Sequence, residues 1–103
     1  MADVVVTHNP GQSRYEARVG DTLAGFAQYQ LTTELIVFTH TEVDDAFEGQ
    51  GVGSTLVQEA LDDVRAEGVH KVLPLCLFVK GWISRHRDYV DLVYGAPPST
   101  VRD

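Results

Sequence analysis

The sequence predicts an α+β fold: one mixed, mostly antiparallel sheet with two main helices against it. Three observations carry this. Residues 4–43 hold four extended runs, with strand-like alternation or with β-branched and aromatic residues, divided by turn signals. From Val52 onward the apolar period changes from 2 to 3.6. A further extended run at 71–75 follows that helix, so strand, helix and strand form a β-α-β unit after an antiparallel meander.

The elements follow in order. Val4-Val5-Val6-Thr7-His8 is a β-branched run closed by Asn9-Pro10-Gly11, a turn signal. Residues 14–19 alternate polar and apolar, as a half-buried strand does, and Gly20-Asp21 suggests a tight hairpin. The run 22–31 is expected to place Leu23, Ala27, Tyr29 and Leu31 on one face. Residues 34–43 make a fourth strand, rich in β-branched and aromatic side chains. In the helix, Val52, Leu56, Val57, Ala60, Leu61 and Val64 form an apolar stripe, and Gly68 is placed to end it. Pro74 cannot donate a ladder hydrogen bond, so the fifth strand is expected at an edge or splayed from its neighbour. Residues 78–86 read as a second helix and 91–94 as a last short strand. Residues 1–95 are expected to form a single domain, with 96–103 a loose tail.

Composition narrows the function. The 103 residues carry a formal net charge of −7, which argues against a nucleic-acid binder. The acidity fits solubility alone or a cationic partner such as an amine. No run approaches the length of a membrane span, and Met1 to Val6 do not read as a signal peptide. The single cysteine, Cys76, cannot form an internal disulfide, which fits a cytoplasmic setting. The four histidines show no metal-ligand spacing, so no metal is expected.

The most informative stretch is Glu48-Gly49-Gln50-Gly51-Val52-Gly53-Ser54. Alternate glycines bare a run of backbone N–H groups, and a helix starts at once, aiming its unpaired N–H groups and partial positive charge at the same spot. This is an anion cradle suited to phosphate or pyrophosphate. A P-loop would need a lysine before Ser54-Thr55, and none is near. A dinucleotide fingerprint needs G-x-G-x-x-G tightly after a strand; here the spacing is G-x-G-x-G, after a linker.

The stretch resembles the coenzyme A pyrophosphate loop of the GNAT superfamily of N-acetyltransferases, whose pattern is Gln/Arg-x-x-Gly-x-Gly/Ala. Gly51 and Gly53 match its glycines; Glu48 stands at its Gln/Arg position, where a carboxylate repels pyrophosphate unless it turns outward. His40-Thr41-Glu42-Val43, Leu73-Pro74-Leu75-Cys76 and Trp82 through Tyr89 resemble the short YjdJ-type branch of that superfamily, reduced on its N-terminal side. The resemblance covers roughly half the chain. It implies a GNAT-like fold, acetyl-CoA as cofactor and an amine acceptor, either a small molecule or a protein lysine. It implies that the pantetheine arm enters a splay between the fourth and fifth strands. Coenzyme contacts then fall to Thr41, Val43, Gly49, Gln50, Gly51, Val52, Gly53, Ser54 and Arg85.

Acetyl transfer needs a proton acceptor for the amine and a stabilised carbonyl oxygen. His40 and Glu42 lie two apart on one strand and so share a face; either suits a general base. The alternative is a histidine packed under Phe38. Cys76 precedes the second helix and suits an acyl-carrying nucleophile or an acid for departing coenzyme A, or else a small buried hydrophobe. Trp82 is expected in the core. Two other functions fit the same residues: an acyl-CoA binding module without catalysis, and an interaction domain that keeps only the fold.

Overall fold

The computed structural model describes residues 3–95, so the expected tail at 96–103 lies outside the described residues. Four strands form the expected antiparallel meander: β1 (Val4–Asn9), β2 (Arg14–Val19), β3 (Thr22–Leu31) and β4 (Leu35–Val43). The chain then passes a 3-10 turn at Asp45–Phe47 into helix α1 (Val52–Glu67) and returns as β5 (Lys71–Pro74), parallel to β4. The strand order is β1-β2-β3-β4-β5, so β5 is an edge strand ending on its proline. Helix α2 (Leu77–Arg85) and a 3-10 segment (Arg87–Leu92) are the last elements among the described residues.

Both helices pack on one face of the sheet. All six stripe residues of α1 are buried, meeting Tyr15, Ala17, Ala27, Tyr29, Ile36 and Phe38 from the strands and Val79, Trp82 and Ile83 from α2. Gly68 ends α1 in the left-handed conformation, φ +68°, with its amide bonded to the Val64 carbonyl. Trp82 is a core residue, as expected. Among the described residues no helix is long and apolar enough to cross a membrane.

Two expectations are corrected. Residues 91–94 do not form a strand; a 3-10 segment runs to Leu92, and Val93 makes an isolated bridge to Val72. Side-chain pairs decide this, because Arg65 forks onto Asp91 at 2.9 and 3.1 Å and Tyr89 donates to Asp62 at 2.7 Å. The tightened backbone is thus pinned to α1. In β3, Ala27 and Tyr29 face the core, but Leu23 and Leu31 do not join them there. Ala17 pairs with Gly25 and Arg18 with Leu23, leaving Ala24 as an extra residue. This bulge turns Leu23 to the uncovered face. Leu31, at the hairpin end, is exposed.

The uncovered face is polar but not loose. Glu16 is only 5% exposed, receiving hydrogen bonds from Arg14 (2.8 Å), Arg18 (3.0 Å) and Asn9 (3.1 Å). The Arg14 guanidinium foremost, with Asn9 and Arg18, holds the Glu16 carboxyl below the usual carboxylate range despite its burial.

Candidate active site

The site is built on β4, whose two halves differ. From Ile36 to Phe38 the strand pairs with β3 on one side and β5 on the other. The β5 ladder stops at Phe38–Pro74, as a proline at that position dictates. The Phe38 carbonyl then takes both the Leu75 amide (3.1 Å) and the Cys76 amide (2.9 Å), which turns the chain away into α2. From Thr39 to Val43, β4 pairs only with β3. The result is a fork between the two parallel strands.

A second bulge sits at the fork. Tyr29 pairs with Phe38 and Gln28 with His40, leaving Thr39 unmatched, its hydroxyl donated to the Gln28 carbonyl at 3.3 Å. An extra residue inverts the facing of everything beyond it. Ile36 and Phe38 face the core, but past the bulge Thr41 and Val43 take the helix side while His40 and Glu42 face away from it.

The site residues therefore fall into two groups. On the uncovered face, His40 Nε2 lies 3.1 Å from Glu42 Oε2, with both side chains more than half exposed. Phe26 sits beside them, 6.1 Å from the imidazole between ring centres, with the Arg14 guanidinium over its ring at 4.8 Å. The histidine is not packed under Phe38, because the bulge puts the two on opposite faces. On the helix side, Cys76 Sγ donates to Thr41 Oγ1 at 3.3 Å. Cys76 is thus half-buried against Thr41, and the structure does not bring it together with His40.

The glycine stretch lies just past the open end of β4. Asp44 caps the 3-10 turn through the Ala46 amide at 2.9 Å. Backbone bonds then use the amides of Phe47, Glu48, Gln50 and Thr55, whereas those of Gly49, Gly51, Val52, Gly53 and Ser54 find no backbone acceptor among the described residues. Five free donors at a helix start are what an anion needs. Gly49 and Gly51 hold φ of +81° and +78°, the left-handed region, with open space where a side chain would stand. Gly53 serves differently: a Cβ there would lie 2.7 Å from the Phe78 ring and 3.4 Å from Val43. Its bareness lets Phe78 lie on the first turn of α1.

Helix α2 borders this cradle. Phe78, Trp82 and Arg85 share one face by helical spacing. Trp82 Nε1 donates to Ser54 Oγ at 2.9 Å, tying α2 to the first turn of α1. The exposed Arg85 guanidinium folds back toward Gly81, within 3.4 Å of where a Cβ there would stand, and makes no ion pair among the described residues. Glu48 is exposed. Sequence reasoning missed three participants. Phe78 covers Gly53, while Asp44 and Asp45 join Phe26 and Glu42 in lining an open cleft of about 570 Å³ between the start of β3 and the end of β4. An aromatic residue opening α2 and the acidic pair after β4 were the available signals.

The arrangement thus joins an anion cradle, a fork in the sheet and a titratable pair across that fork. A family model described as GCN5-related N-acetyl-transferase matches residues 14–92. The solution structure of a GCN5-like protein from Staphylococcus aureus superposes with a TM-score of 0.70 at 21% identity, each chain covered over 100% of its length. No curated protein matches the chain. The matched residues span β2 to the last 3-10 segment, and with them the chain belongs to the GCN5-related N-acetyltransferase family.

Proposed function

We propose that this chain transfers the acetyl group of acetyl-CoA to an amine, and that it belongs to the short YjdJ-type branch of its family. The observation that carries the reading is the row of unpartnered amides at Gly49 and Gly51–Ser54, set directly beyond the open half of β4. In this reading the cradle binds the pyrophosphate, with Arg85 as an added counter-charge. The pantetheine arm lies in the fork, against Thr41 and Val43 on the helix side. Acetyl-CoA supplies the activated acyl group.

The acceptor approaches from the opposite face. The cleft there offers Phe26 and the carboxylates of Glu42, Asp44 and Asp45, surroundings that favour a cationic amine. The amine must lose a proton to attack. If His40 Nε2 donates its N–H to Glu42, then Nδ1 carries the lone pair, and Glu42 stabilises the imidazolium that forms. The amine nitrogen bonds to the acyl carbon, coenzyme A leaves as thiolate, and His40 holds the proton. Direct transfer is favoured over passage through Cys76, whose sulfur bonds Thr41 on the far side of the sheet from the imidazole.

The test is coenzyme A calorimetry on wild type, Gly51→Ala and Gly51→Asp, followed by thiol release with an amine panel. Both substitutions bear the backbone strain of φ +78°, on the order of 1–2 kcal/mol, but only aspartate places a charge in the cradle. Binding by wild type, weakened in Gly51→Ala and lost in Gly51→Asp, supports the cradle. Unchanged binding in Gly51→Asp sinks it. Binding without thiol release from any amine would leave an acyl-CoA binding module.

A further inference from the structure

Away from the fork, β1 meets the second half of α1 through a cluster that acetyl transfer does not use. His8, Asp63 and Glu67 each offer a ligand atom, all within 4.8 Å of one another. Asp63 and Glu67 are one helical turn apart on the same face of α1. His8 stacks on Tyr15 with ring centres 4.2 Å apart and planes 9° from parallel, which fixes its orientation. Its Nε2 lies 2.6 Å from the Tyr29 hydroxyl, while Nδ1 faces Asp63 at 3.6 Å. Tyr15 in turn donates to Asp63 Oδ2 at 2.7 Å.

Charge at the cluster is unbalanced. No lysine or arginine pairs with Glu59, Asp63 or Glu67 among the described residues, and Glu59, Asp62 and Asp63 line a neighbouring cleft of about 300 Å³.

We propose that His8, Asp63 and Glu67 form a binding site for a divalent first-row transition metal, Zn²⁺ by preference, which ties the edge strand β1 to α1. The donor set suits it: an imidazole nitrogen disfavours Mg²⁺ and Ca²⁺, and two carboxylates disfavour soft ions. The outer contacts are those of a metal-binding histidine. In the tautomer whose Nε2–H donates to the Tyr29 oxygen, the Nδ1 lone pair is directed at the carboxylates. Three protein ligands leave the remaining position to water. Residues 8, 63 and 67 show no metal spacing along the sequence, because only the packing of β1 on α1 unites them.

The experiment uses the whole chain, stripped with a chelator and titrated with Zn²⁺ by calorimetry, and with Co²⁺ followed by its visible absorption. One equivalent is expected to bind and to raise the thermal midpoint. Glu67→Gln, an exposed change that spares the core, weakens the affinity at least tenfold by removing a ligand. Tyr29→Phe, which acts only through the imidazole, weakens it by about tenfold. His40→Ala leaves it unchanged. No saturation by about 1 mM Zn²⁺ overturns the site, as does binding that survives Glu67→Gln at full strength or disappears in His40→Ala.

Discussion

The two halves of β4 show how one strand does two jobs. Ile36–Phe38 is paired on both edges and anchors the core; Phe38 touches Tyr15 and Tyr29 and is 1% exposed. Thr39–Val43 keeps one neighbour, and His40 and Glu42 face solvent across from the helices. A proline and one extra residue separate the regimes. The lesson is that the ladder is given up over one half of the strand while the preceding residues hold it in place.

Three variants break or sharpen this contrast. Phe38→Ala should cost the most, about 3–5 kcal/mol of stability by denaturant unfolding, because a fully buried ring leaves a cavity that the sheet and α1 cannot collapse. A loss below about 1 kcal/mol would show that the paired half is no anchor. Glu42→Gln should do the reverse. It should lower kcat/KM by about 100-fold through loss of support to the His40 imidazolium, with stability within about 0.5 kcal/mol of wild type. Unchanged kcat/KM would remove the pair from the chemistry.

Glu16→Gln is the smallest and tests the rest of the uncovered face. Its charge-assisted bonds from Arg14 and Arg18 predict a loss of about 1–3 kcal/mol at neutral pH. The sign with pH follows from the lowered carboxyl. Its contribution is complete above the ordinary carboxylate range and disappears as pH falls through its lowered folded-state value, so the gap between wild type and variant closes in acid. A gap independent of pH would mean the network is not ionic.

Much of this was legible in the sequence. The meander, the α1 stripe, the Gly68 stop and the splay at Pro74 follow from local rules of period and backbone chemistry. The face-sharing of His40 and Glu42 also followed, since two residues on one side of a bulge keep their relation. What local rules could not give was the absolute facing beyond Thr39 and Ala24, because an extra residue is defined only against its partner strand. The separation of Cys76 from His40, and the segment 87–92, depend on contacts between distant elements such as Arg65 with Asp91.

The bond from Trp82 to Ser54 makes the protein its own optical sensor. This is the chain's one tryptophan. Its indole is 2% exposed, stacked on His86 at 3.8 Å between ring centres, and tethered to the first turn of the cradle. Any anion drawing on the amides around Ser54 pulls directly on that tether. Intrinsic emission is therefore expected to report the proposed occupancy of the loop without label or coupled assay, from a single chromophore free of background from any other indole.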